Sequence, residues 1–104
     1  MKIAVTATGG SLNAQVAQNF GRCEYFIIID SETMKFEPVQ NPGLSAMGGA
    51  GPQAAKTISD KGANVLITGV VGPNAQNALV QYNIKTVTGI SGTVKDAVDN
   101  YLKK

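Results

Sequence analysis

The sequence predicts an α/β fold in one domain spanning residues 1–104, and three observations predict it. Apolar runs of strand length alternate with segments of helical periodicity from Pro52 onward. The 104 residues are 43% hydrophobic and 15% charged, a size and balance that support one apolar core and lie outside the range of disordered chains. Twelve glycines stand in small groups between the periodic segments, where they act as turn punctuation rather than as a low-complexity tract.

Each element follows from its residues. Lys2–Thr8 is apolar and β-branched and ends at Gly9-Gly10, which predicts a first strand. Leu12, Val16 and Phe20 recur at a spacing of four, a short helical or turn-rich connector with one apolar side. Tyr25–Asp30 is a continuous apolar run, the pattern of a central strand buried on both faces. Ser31–Met34 makes a polar turn, and Lys35–Val39 alternates charged and apolar residues before Pro42 closes it; with Pro38 inside, this hairpin partner belongs near a sheet edge.

Pro52 opens a helix that runs to Lys61 and stops at Gly62, with Ala54, Ala55 and Ile58 inward. Asn64–Val71 is the next buried strand. Pro73 opens a second helix with an Ala75, Ala78, Leu79 and Tyr82 stripe, and Asn83 supplies a left-handed stop. Ile84–Val87 is a short strand. Thr93 caps a last helix, Asp96 suits its positive first turn, and Val94, Ala97, Val98 and Tyr101 form its apolar stripe. Two successive crossovers of this kind imply parallel strands.

Composition excludes several functions. Nine basic residues against seven acidic ones are scattered along the chain, so no phosphate-tracking stripe for nucleic acid is expected. The longest apolar run, Tyr25–Ile29, is far short of the roughly 20 residues that span a bilayer, and no signal-like segment follows Lys2. A single Cys fits a reducing cytoplasm, and the absence of His removes the usual neutral-pH acid-base residue. The first strand carries no carboxylate, which argues against two-metal nuclease chemistry. Asp60, Asp96 and Asp99 read as solvated helix positions, and no catalytic residue is expected.

The glycines direct attention to one end of the sheet. Met47–Gly51, Gly69–Gly72 and Gly89–Gly92 each precede a helix, and in an open α/β sheet such turns lie beyond the carboxyl ends of parallel strands, where amides and helix dipoles attract anions. Thr8-Gly9-Gly10 joins that rim if the first strand is parallel to the later ones, and Gly21-Arg22-Cys23 joins it if the second is antiparallel. Such turns also serve architecture alone. Cys23 is either an inert small hydrophobe or, beside Arg22, a thiolate of lowered pKa able to ligate a soft metal or cluster. Met47 is either a loop packing residue or a weak thioether ligand.

The opening MKIAV, Phe20-Gly21-Arg22-Cys23 with Tyr25-Phe26, Asn41-Pro42, Gly48-Gly49-Ala50-Gly51, Gly72-Pro73-Asn74-Ala75 and Gly92-Thr93-Val94 together resemble the dinitrogenase iron–molybdenum cofactor biosynthesis and carrier family, nearly end to end. The resemblance implies an RNase H-like α/β sandwich whose five-stranded mixed sheet has the order 3-2-1-4-5, with the second strand antiparallel and helices on both faces. It also implies binding or transient carriage of an anionic metal–sulfur cluster of iron–molybdenum or iron–sulfur type, in assembly or storage, with donor and acceptor proteins of a cluster-assembly pathway as partners. Some members carry His just before the Gly-rich loop, where this chain has Met47. The cluster would then sit over Gly48, Gly49, Ala50 and Gly51, with Met47, Arg22, Gly72, Asn74, Ser91 and Thr93 around it and Cys23 as covalent metal ligand.

Two other classes stay open. Thr6-Ala7-Thr8-Gly9-Gly10-Ser11 looks like the hydroxyl-rich phosphate loop of a flavin- or nucleotide-binding domain. A scaffold or interaction module with purely architectural turns is the other.

Overall fold

The computed structural model describes residues 1–43 and 50–103. In chain order the elements are β1 (Lys2–Ala7), β2 (Tyr25–Asp30), β3 (Phe36–Gln40), α1 (Ala50–Asp60), β4 (Val65–Ile67), α2 (Pro73–Gln81), β5 (Lys85–Val87) and α3 (Val94–Leu102). The sheet has the order β3-β2-β1-β4-β5. β1, β4 and β5 are mutually parallel, and β2 runs antiparallel to both of its neighbours. This is the predicted α/β topology, with β3 at one edge.

Strand alternation sorts the core into two layers. Ala4 of β1 and Phe26 and Ile28 of β2 face one side, where they pack with Ala54, Ala55 and Ile58 of α1 and Ala75 and Leu79 of α2. Ile3, Val5 and Ala7, with Ile27 and Ile29, face the other side and pack with Val94, Ala97 and Val98 of α3. The continuous apolar run of β2 is therefore explained by burial on both faces.

Several boundaries differ from expectation. α1 starts at Ala50, two residues before Pro52, because an amide in the first helical turn has no intrahelical acceptor and proline is tolerated there. The strand expected over Asn64–Val71 ends at Ile67, since Val70 leaves the sheet to pair with the connector. Tyr82 is 42% exposed rather than part of the α2 stripe. The expected stops are met: Gly62 has φ +82° and Asn83 has φ +59°, left-handed conformations that end α1 and α2.

The connector forms no helix. Its apolar residues divide between the layers: Leu12 and Val16 pack on the α3 side, Ala17 and Phe20 on the α1–α2 side. The chain thus crosses over the carboxyl end of the sheet from one face to the other. Thr6 fastens it there. Its buried hydroxyl donates to the Ala17 carbonyl at 2.7 Å and lies 2.8 Å from the Thr68 hydroxyl. Thr6→Val keeps the shape but leaves both partners short of a hydrogen bond, so urea unfolding should show a loss of about 1–3 kcal/mol with an unchanged m-value.

Candidate functional site

The rim at the carboxyl ends of β1, β4 and β5 is largely occupied by the chain itself. Thr8 N donates to Gln15 O, Ala17 N to Thr6 O, Phe20 N to Val70 O, Val70 N to Gln18 O and Val16 N to Gly92 O. The N-terminus of α3 is consumed in the same way. Val94 N and Lys95 N donate to Ala14 O at 2.9 Å and Leu12 O at 3.0 Å, and Asp96 N to the Thr93 hydroxyl at 3.2 Å. Thr93 is thus the expected cap, and it spends its oxygen on the helix. Ser91 lines a separate cavity of about 180 Å³ on the α3 side, between β5 and Tyr101.

The single crevice expected from the glycine turns is therefore divided between two faces. The Thr6–Ser11 loop is also spoken for: the Thr6 hydroxyl is bonded inward, and Ser11 O accepts from Ala14 N. The Thr6 hydroxyl is therefore withdrawn from any phosphate cradle in that loop.

One corner stays open. A cleft of about 290 Å³ lies between the first turns of α1 and α2, lined by Ala50, Gly51 and Pro52 and by Gly72–Ala75, with Gly21 and Arg22 as its third wall. The three walls approach closely. A Cβ on Gly51 would stand 2.7 Å from the Ala75 Cβ, closer than Cβ atoms pack, and one on Gly21 would stand 3.1 Å from Gly51 N, a tight contact. Arg22, Ala50, Gly51, Gly72 and Asn74 of the predicted set meet here. Met47, Gly48 and Gly49 lie outside the described residues.

The cleft is electropositive by construction. Arg22 is the charged residue among its lining, and the first turns of α1 and α2 contain no acidic residue. Gly72 occupies the N-cap of α2 with φ −74° and ψ 167°, and no side chain caps the helix. Proline at the first helical position brings no N–H, so the amides of Asn74 and Ala75 are the first-turn donors aimed out of the helix end. Positive partial charge from two helix ends thus adds to a guanidinium.

Cys23 departs from expectation. It is 2% exposed and packs in the α1–α2 core layer, where its thiol donates to Phe20 O at 3.3 Å. Burial pushes the thiol up to about 12, the opposite of the lowering expected from Arg22, because removing a thiolate from water outweighs the hydrogen bonds that favour it. It sits beneath the cleft without lining it. Among the described residues, no group of three His, Cys, Asp or Glu side chains could hold a metal ion.

Sequence reasoning missed the chemistry of Asn41. Its side chain is buried, donating from Nδ2 to Gly21 O at 3.2 Å and Cys23 O at 2.9 Å while Oδ1 accepts from Gly43 N at 2.9 Å. The Asn-Pro pair signalled a turn, but nothing local pointed to a partner twenty residues earlier.

The family model described as Dinitrogenase iron-molybdenum cofactor matches residues 1–104. The chain belongs to that family. A solved structure of the apo form of the orange protein from Desulfovibrio gigas superposes with a TM-score of 0.95 at 40% identity, covering 98% of this chain and 87% of that one. A putative NifB protein from Thermotoga gives a TM-score of 0.85 at 34% identity, with 98% and 87% covered. An uncharacterized protein of Methanocaldococcus jannaschii is 27% identical over 106 residues, covering 99% of this chain and 86% of the relative. The family is thus the one the sequence resembles, and the sheet order and antiparallel second strand are those the resemblance implies. Among the described residues, no helix is long and apolar enough to cross a membrane.

The state of the thiol is directly measurable. A folded-state value raised above the roughly 8.5 of a free thiol favours the neutral form, so the contribution is full below about pH 8.5 and is lost as pH rises toward 12. Relative to Cys23→Ala, the wild type should lose stability progressively above pH 9. At pH 8 a disulfide reagent should label Cys23 slowly in buffer and rapidly in denaturant; equal rates in both would contradict the buried placement.

Proposed function

We propose that the cleft between α1, α2 and the turn before Cys23 binds and releases an anionic metal–sulfur cofactor of iron–molybdenum or iron–sulfur type, as cargo during cofactor assembly or storage and without chemical turnover. Support at the level of kinship comes from the family and from the likeness to the orange protein and the putative NifB protein. The observation that carries the reading is the open end of α2. Gly72 has the extended geometry in which Ser or Asp would cap the helix, yet it offers no side chain, and it lines the same cleft as Arg22.

The donor set fits an anion held whole. Amides and a guanidinium recognise negative charge through hydrogen bonds and field, and the buried Cys23 sulfur contributes no covalent ligand in this conformation. A cluster held in this way leaves without breaking a bond to protein, which suits transfer between a donor and an acceptor protein of an assembly pathway in the reducing cytoplasm. Arg22 supplies the full charge. Gly51 and Gly72 keep the helix ends close together and uncovered, and Asn74 and Ala75 supply amides.

Gly72→Asp tests the reading without straining the backbone, since a Cβ at this position meets nothing within 4 Å. The carboxylate should cap α2, adding a few tenths of a kcal/mol of stability, and should repel the cargo. Anaerobic titration with tetrathiomolybdate, followed by visible absorption and metal content, should show binding to wild type and at least tenfold weaker binding to Gly72→Asp. Equal binding by the two proteins would remove the cleft as the site, and no binding by wild type would remove the function.

A further inference from the structure

Asn41 is buried where β3 ends, and each polar atom of its carboxamide is spent on backbone. The two Nδ2 hydrogens go to Gly21 O and Cys23 O, the carbonyls that flank Arg22, and Oδ1 takes the amide of Gly43. Two carbonyls on one side and an N–H on the other admit only this orientation of the amide. Gly43 in turn lies against the start of α1: a Cβ there would be 3.1 Å from Gln53 Oε1 and 3.5 Å from Ala50 O.

One side chain therefore fixes two walls of the cleft relative to each other. Arg22 N donates to Asn19 O at 3.3 Å and closes the turn, and the carbonyls of the residues on either side of Arg22 are pinned by Asn41, so the Arg22 backbone is held on both sides. The same carboxamide places the residue that packs on the first turn of α1. We propose that Asn41 is a positioning residue for the cofactor cleft, which holds the Arg22 guanidinium in register with the N-termini of α1 and α2. This inference rests on the cleft's proposed role as an anion site.

Asn41→Ser tests it. Serine can still accept from the Gly43 amide in a side-chain turn, but it is too short to reach Gly21 and Cys23. Tetrathiomolybdate titrations of wild type, Arg22→Ala, Asn41→Ser and the double variant, each at low salt and at about 0.15 M salt where exposed charges are screened beyond about 8 Å, separate positioning from structure. If Asn41 acts through Arg22, each single variant should weaken binding by roughly tenfold and flatten its salt dependence. The double variant should then bind no more weakly than Arg22→Ala.

Wild-type affinity in Asn41→Ser, a salt dependence as steep as wild type, or losses that multiply in the double variant would each overturn the proposal. Should Asn41→Ser fail to fold by circular dichroism, Asn41→Asp, which keeps size and the Gly43 contact but has no donors when ionised, is read in its place. Failure of both to fold overturns positioning in favour of a role in stability. Absence of binding to wild type would strike the cleft's proposed function instead, and so is distinguishable.

Discussion

The passage of the connector across the carboxyl edge of the sheet is the constraint on which the rest of the molecule depends. An open α/β sheet ends in a row of backbone groups and helix termini that need partners, and here residues 12–20 supply most of them from within the chain. The cost of an unpaired buried backbone group, about 1–3 kcal/mol, explains why this segment is held at so many points although it has no regular secondary structure. Thr6, buried in the middle of the crossing, binds both the connector and the loop after β4. Along this rim, what the connector leaves uncovered is the cleft between α1 and α2.

The uncovered corner is set by which helices lie on which face. α3 is alone on its layer and gives its first amides to Ala14 and Leu12, so its dipole is answered internally. α1 and α2 share the other layer, and their ends come together because Gly51 admits the Ala75 methyl. Two helix termini of the same sign, brought into contact with no acidic residue in either first turn, repel one another slightly unless a negative charge lies between them. The arrangement forgoes a capping side chain at Gly72, a small loss of stability of the kind that binding sites retain.

The fold was legible because its signals were redundant. β2 showed itself by an unbroken apolar run, the helices by stripes with stops at Gly62 and Asn83, and the parallel order by two crossovers. The connector was less legible for a physical reason: Leu12, Val16 and Phe20 are spaced alike for a helix face and for every second pair of positions in an extended chain. The structure uses neither period strictly, since Val16 and Phe20 pack on opposite layers. At the candidate site the glycine turns pointed to helix ends, and the thiol takes the buried one of its two expected placements. Gly51, Gly72, Asn74 and Arg22 meet at one cleft, whereas Ser91 and Thr93 belong to the other face, because α3 follows the last strand and gives its first amides to the Ala14 and Leu12 carbonyls there. Cys23 beside Arg22 suggested a reactive pair, but adjacent residues point apart, and in this turn the arginine faces solvent while the sulfur enters the core.

That divergence links the core to the cleft. The Cys23 sulfur and the Phe20 ring, tilted against Phe26 with centroids 5.9 Å apart, anchor the underside of the same bend whose top carries Arg22, and the Cys23 thiol donates to Phe20 O within the bend. A thiol kept neutral by burial is a weak, compliant donor that fills space without competing for a metal. Ionising it would place an uncompensated charge in an apolar layer directly beneath the cationic wall. The bend is then held from below by packing and from the side by the Asn41 carboxamide, which fixes the backbone from which the Arg22 side chain extends. For the anion site proposed above, a preorganised backbone of that kind favours affinity, and contact through amides and one charged side chain breaks no covalent bond on release.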